Sequence, residues 1–172
     1  VLAVLAQHIG TVLDADALTS FAEVPEDLFA ALHDKVVVTP HAGEFARLFP
    51  DISLDDPAMA AREAADKAGC AVLLKGAVTQ IADSTGRWAM NTHSAPWLAT
   101  AGSGDVLAGM IAGLLAQGAG AFDAAAMAAW MHGDIALRAG AGLTADDMEG
   151  ILPIVFEHLP RTKLEQAGEA IH

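Results

Sequence analysis

Three short apolar runs constrain the fold more than any other feature of the chain: residues 11–14 (TVLD), 36–39 (VVVT) and 72–75 (VLLK). Each is followed by polar or turn-forming residues and then by a helix-like stretch, which is the rhythm of βαβ units. Parallel strands buried on both faces read as continuous hydrophobic runs, as these do. The segments Pro25–His33 and Asp55–Ala68 supply helices between them. An α/β fold with a mainly parallel sheet follows. Val78–Ala82 and Arg87–Asn91 flank Asp83-Ser84-Thr85-Gly86, a turn cluster that predicts a late antiparallel hairpin towards one edge. Beyond it the pattern turns helical over Gly104–Gln117, Phe122–Arg138 and Thr144–His158, the last with Thr144 as N-cap and Asp146 and Asp147 in its first turn.

No internal repeat or linker divides the 172 residues, which are read as one domain, 1–172. The tail from Lys163 to His172 is polar and expected to fray. With 53% hydrophobic residues a packed core is attainable, and a formal charge of −13 argues against nucleic acid or an anionic membrane as partner. The longest apolar run, Val106 to Ala116, ends at Gln117, well short of the roughly 20 residues a bilayer requires. The single Cys70 makes an internal disulfide or a Cys-ligated zinc site impossible, so a cytoplasmic compartment is expected. Val1 stands where Met would open a chain, no basic leader follows, and the sequence reads as starting inside a domain.

The most informative chemistry lies at Ala101-Gly102-Ser103-Gly104-Asp105, a Gly-rich turn running directly into an apolar helix. Small residues let backbone N–H groups approach an anion, and a helix N-terminus adds unpaired donors and partial positive charge. Asp105 there is either an N-cap or, beside a phosphate, a base that takes a proton from an attacking hydroxyl. His41 and Glu44 in Thr39-Pro40-His41-Ala42-Gly43-Glu44 follow a strand and open a helix, the place where ligands bind in open α/β sheets. Their local alternatives are capping and a favourable contact with the helix dipole. Lys75, at the carboxyl end of a buried strand, needs solvent or an anion for its ammonium. Asp14 and Asp16 end another strand and can cap the next turn or support Mg²⁺. His132 and Asp134, inside an apolar helix, read as hydrogen-bonded structural groups. Met110, Met127, Trp130 and Met131 read as core or subunit interface, and the small residues Ala124–Ala129 would allow close helix packing, so a homo-oligomer is expected.

The phrase ATAGSGDVLAGMIAGLLAQG, preceded in order by VLDADAL, TPHAGE and LLKGAVTQIAD, resembles the ADP/ATP-dependent NAD(P)H-hydrate dehydratase family of the ribokinase-like superfamily. The resemblance runs from Val1 to about Leu159 and covers the later part of that domain; the family's earlier strands have no counterpart here. It implies a three-layer α/β/α ribokinase-like fold and dehydration of hydrated NADH or NADPH at the expense of ADP or ATP. Asp105 would be the catalytic base and contact substrate, with His41. Lys75, Gly76, Ala77, Val78 and Thr79, with Gly102, Ser103 and Gly104, would bind the nucleotide, and Glu44 would support Mg²⁺. Two departures stand out: Pro96-Trp97-Leu98-Ala99 where the family usually has Pro-Gly-Met-Ala, and Ala101 in place of the first Gly of the turn. The alternatives are a small-molecule kinase of the same superfamily, acting on a hydroxymethylpyrimidine or sugar, or a non-catalytic nucleotide-binding module.

Overall fold

Val36, Val37 and Val38 are all fully buried, yet their side chains enter two different cores. A strand's side chains alternate faces, so this requires apolar layers on both sides of the sheet. The computed structural model describes residues 1–159. Its sheet has five strands in the order β1 (Thr11–Leu13), β2 (Val36–Val38), β3 (Ala71–Leu74), β4 (Thr79–Ala82) and β5 (Trp88–Asn91). Pairs β1–β2 and β2–β3 are parallel, while β4 reverses between β3 and β5. The expected late hairpin is therefore present, at the edge. Its turn is held by the buried Asp83, whose Oδ1 accepts from Thr85 N–H at 3.0 Å and Arg87 N–H at 3.1 Å.

On one face lie α1 (Leu2–Leu5), which precedes β1, and the helices between the strands: α2 (Asp16–Thr19), α3 (Pro25–Phe29), α4 (Ala42–Leu48) and α5 (Pro57–Ala68). Val36, Val38, Val72 and Leu74 pack there against Leu28, Phe45, Phe49 and the alanine stripe Ala60, Ala61, Ala64 and Ala65. Helix α5 starts where Asp56 accepts from Ala58 and Met59 N–H and stops at the left-handed Gly69. The helix expected over Pro25–His33 is shorter, because after Phe29 the chain curls through turns into β2.

The opposite face carries α6 (Ser103–Ala116) and α7 (Ala121–Ala139), which bury Val37, Leu73 and Ile81 under Leu107, Ile111 and Ala124, Ala125 and Ala128. The small residues Ala124–Ala129, expected to open an oligomer interface, are thus largely used inside the fold, with only Ala126 and Met127 outside the buried set. Helix α8 (Ala145–Glu157) packs outside α6 and α7 around Met131, Ile135, Met148 and Val155. It begins as expected, with Thr144 N–H and Oγ1 both donating to Asp147 Oδ2, at 2.9 and 2.6 Å. The Lys163–His172 tail lies outside the described residues. Among those described, no helix is long and apolar enough to cross a membrane.

One close approach fixes how α7 meets the connection that leaves β5. A Cβ on Gly133 would stand 1.6 Å from the His93 carbonyl oxygen, a backbone atom that cannot move aside alone. Gly133→Ala is therefore expected to destabilise the protein by about 3 kcal/mol or more, the upper end of overpacking costs, read as a lowered denaturation midpoint; an unchanged midpoint would refute this packing.

Candidate active site

The carboxyl ends of β1, β2 and β3 are tied together by backbone bonds across them. Leu13 carbonyl accepts from Thr39 N–H (3.0 Å) and from its hydroxyl (3.3 Å), and Pro40 carbonyl accepts from Lys75 N–H at 2.8 Å. These bonds bring Asp14, His41, Glu44 and Lys75 into one cluster. Lys75 Nζ donates to Asp14 Oδ1 at 2.7 Å and lies 3.9 Å from Glu44 Oε2. The ammonium is thus neither the free ligand contact nor the solvated flank that sequence reasoning weighed: it already has a partly buried carboxylate. Asp14 is followed by Ala15 at φ +46°, a left-handed strain for a residue with a Cβ. His41 caps α4, its Nδ1 accepting from Gly43 and Glu44 N–H at 2.9 and 3.2 Å, while its own N–H donates to Glu44 Oε2 at 2.8 Å. The capping alternative for His41 is what the geometry realises, leaving Nε2 on an exposed ring 3.5 Å from Glu44 Oε1.

Helix α6 points its first turn at this cluster. The turn before it needs a glycine at Gly102, where φ is +82°, but not at Ala101, which has no positive φ. A Cβ on Gly104 would lie 3.5 Å from Asp14 Oδ2 and 3.7 Å from Lys75 Nζ, so Gly104 sits directly over the ion pair. Among the described residues, the N–H groups of Gly104 and Asp105 donate to no carbonyl. Asp105 is exposed in the first turn and makes no side-chain hydrogen bond there; the N-cap is Gly102, so Asp105 is not a helix cap. Together with Gly102 it heads a groove of about 660 Å³ that runs between α6 and α8 past Met110, Leu114, Leu152 and Phe156. Gly76, Ala77 and Val78 form an exposed loop beyond Lys75, and Thr79 opens β4.

Ser103 behaves differently from its neighbours. Its hydroxyl is buried and lies 3.1 Å from His132 Nε2 on α7. Burial lowers the His132 pKa to about 4, so the ring is neutral near pH 7. Burial also pushes the Cys70 thiol up to about 12, which leaves it unreactive. No group of three or more His, Cys, Asp or Glu side chains suited to a metal occurs among the described residues.

A family model described as NAD(P)H-hydrate dehydratase matches residues 1–153. The chain belongs to this family. The bifunctional NAD(P)H-hydrate repair enzyme Nnr of Mycobacterium tuberculosis is 53% identical over 114 residues, which are 66% of this chain and 24% of that protein. The Mycobacterium leprae enzyme of the same name is 47% identical over 149 residues, 87% of this chain and 30% of that one. The chain therefore spans less than a third of the curated relatives it matches. Among solved structures, the ADP/ATP-dependent NAD(P)H-hydrate dehydratase of Bacillus subtilis, crystallised with ATP/Mg²⁺ and soaked with CoA, superposes with a TM-score of 0.73 at 28% identity. That match covers 90% of this chain and 60% of that one. The fold is ribokinase-like, as the resemblance implied.

The role of Asp14 has no local mark in the sequence, since its partner lies 61 positions away. Removing the ammonium leaves the partly buried Asp14 and the buried Glu44 carboxylates without the cation they share. Lys75→Ala is expected to destabilise by about 1–3 kcal/mol, and adding Asp14→Asn should recover part of that loss; equal stability of Lys75→Ala and wild type would dismiss the pair. A second expectation concerns pH. The folded His132 titrates below its unfolded value near 6.5, so its stabilising contribution is complete above that pH and declines as pH falls towards about 4. Burial and the neighbouring His8 also lower the His33 pKa below its ordinary value, so His33 adds to the same trend. The His132 share is read as the difference between wild type and His132→Gln: the melting temperature of the variant should fall less steeply between pH 7 and pH 4.

Proposed function

We propose that this protein catalyses ADP- or ATP-dependent dehydration of hydrated NADH or NADPH, with Asp105 as catalytic base. The observation that carries the reading is the convergence at Gly104 of the Lys75 ammonium and the free N–H groups at the head of α6, with the unpartnered Asp105 carboxylate next in sequence. The positive end of α6 and an ammonium that Asp14 already holds in place meet there. Gly102, Ser103 and Gly104 would offer backbone donors to the nucleotide phosphates, Lys75 would share its charge with them, and the loop Gly76, Ala77, Val78 and Thr79 would flank the nucleotide. The apolar groove below Asp105 offers walls for a planar ring.

In this reading Asp105 takes the proton of the ring hydroxyl as its oxygen bonds to the terminal phosphorus, and the shorter nucleotide leaves. Phosphate is then expelled with loss of a ring proton, which restores the dihydronicotinamide double bond. Hydroxide is a poor leaving group and phosphate a good one, which is why a nucleotide is consumed. His41, with its exposed ring, is proposed as a substrate contact. Mg²⁺ needs only one or two carboxylates when it rides on phosphates and waters. The Glu44 carboxylate beside Asp14 meets that demand, since this pair already accommodates the positive charge of Lys75. When bound, Mg²⁺ would neutralise phosphate charge. We also propose a cytoplasmic location, supported by the buried free Cys70, and a homo-oligomer, supported by exposed apolar side chains outside the groove such as Met127 and Leu137.

The reaction is tested by incubating the protein with hydrated NADH and ADP or ATP and following recovery of reduced-ring absorbance. No recovery, with phosphate passed to another alcohol, would favour the small-molecule kinase. Because Asp105 caps nothing, Asp105→Asn should leave the melting temperature unchanged while turnover falls by about 10²–10⁴. ADP affinity should hold or rise, since a negative charge near phosphate is removed. Normal turnover in the variant would end the catalytic assignment.

A further inference from the structure

The connection from β5 to α6 lies along α7 and is fastened to it at successive points. Asn91 Nδ2 donates to the Ala129 carbonyl at 3.0 Å. His93 Nε2 donates to Asp134 Oδ1 at 3.0 Å, and its ring stacks on Trp130 with centroids 4.8 Å apart. Trp97 Nε1 donates to the Ala136 carbonyl at 2.7 Å. Ser103 Oγ, at the far end, meets His132 Nε2. Burial pushes the Asp134 carboxyl up, but hydrogen bonds from Arg138 and His93 outweigh it and hold the group below the usual range. Asp134 is thus an ionised anchor, with Arg138 Nε at 2.6 Å on its other oxygen. The tripeptide His132-Gly133-Asp134 is central to this: one side chain grips the end of the connection, one the start, and the glycine between them lets the His93 backbone approach.

We propose that His132 and Asp134, with the Ala136 carbonyl, are positioning residues that set the Gly102–Gly104 turn for phosphate by clamping the connection at Ser103, His93 and Trp97. This rests on the reading of that turn as the nucleotide phosphate site. None of the three faces a ligand directly: His132 is buried behind Ser103, and Asp134 is saturated by His93 and Arg138. Their effect passes through the backbone that carries Gly104 and Asp105, where a displacement of an ångström is enough to cost catalysis.

The test compares wild type, His132→Leu, His132→Gln and Trp97→Phe by ADP affinity in calorimetry, by kcat and KM for hydrated NADH, and by amide hydrogen exchange of residues 93–105. His132→Leu should weaken ADP binding and lower kcat, each about tenfold or more, with KM for hydrated NADH within about twofold and faster exchange confined to 93–105. His132→Gln, which keeps a hydrogen-bonding group beside Ser103, should recover both to within about threefold. Trp97→Phe removes one N–H donor only and should shift the same quantities less. A lowered melting temperature in His132→Leu with unchanged ADP affinity and kcat would reduce His132 to a structural role and overturn the clamp. So would faster exchange spread evenly over the whole chain. Should His132→Leu fail to fold, wild-type values in both His132→Gln and Trp97→Phe would refute the proposal through Trp97, whose change leaves the buried histidine in place. Wild type that binds ADP but never dehydrates hydrated NADH refutes the proposed reaction alone, since ADP affinity and exchange still decide the clamp; wild type without ADP affinity overturns both.

Discussion

Burial of the central strands on both faces is the constraint on which the other features rest. Residues 36–38 have no exposed surface, and an unpaired polar side chain there would cost several kcal/mol. Chemistry can therefore appear only where the strands stop. It does so within three residues of each end: Asp14 directly after β1, His41 three residues after β2 and Lys75 directly after β3. Thr39, the one buried polar side chain at these ends apart from Glu44, is accommodated because its hydroxyl reaches the Leu13 carbonyl. The same bonds that satisfy the strand ends set their mutual register, so the spacing of the ion pair is a consequence of the sheet.

An acidic protein that is to admit a phosphate has to hide its own charge locally. Here the Asp14 carboxylate both neutralises Lys75 and fixes where its ammonium sits, beneath the positive end of α6. An arriving phosphate would compete with Asp14 for an ammonium already in place, so little side-chain ordering would remain to be done. The strained Ala15 fits the same logic, since a residue at φ +46° after β1 persists only when its surroundings dictate it.

How much of this was legible depended on how local each signal was. The Asp83-Ser84-Thr85-Gly86 turn gave away the hairpin, and the Thr144 and Asp147 pair gave away the start of α8, because turn and cap chemistry acts over three or four residues. The position of the Gly-rich turn was equally plain. That Asp105 is not a cap was undecided, because capping depends on where the helix starts, and Gly102 moves that start three residues earlier. For His41 the local signal left capping open and the resemblance implied a substrate contact; the helix it opens uses Nδ1 as the cap. The partners of Asp14, Ser103 and His93 were not legible at all, lying 61, 29 and 41 positions away with no pattern to link them.

Helix α7 shows how core and site come to share one element. Its alanine face lies against the sheet, while the rim formed by His132, Gly133, Asp134 and the Ala136 carbonyl meets the connection. Alanines allow the helix to sit close to Leu73 and Ile81, and that closeness brings its polar rim within hydrogen-bond reach of a loop leaving the same sheet. The departure at Trp97 makes sense in this setting. A tryptophan here would be an obstruction if it entered the groove headed by Asp105, but Trp97 is not part of that groove's wall. Its ring packs with Leu98 against the cluster of Ala95, Ile135 and Leu143, and its N–H takes a carbonyl that also accepts from Gly140 at the end of α7. The bulk is thus spent on holding the connection to the helix, and Ala101 is tolerated because the left-handed turn falls on the next residue, Gly102.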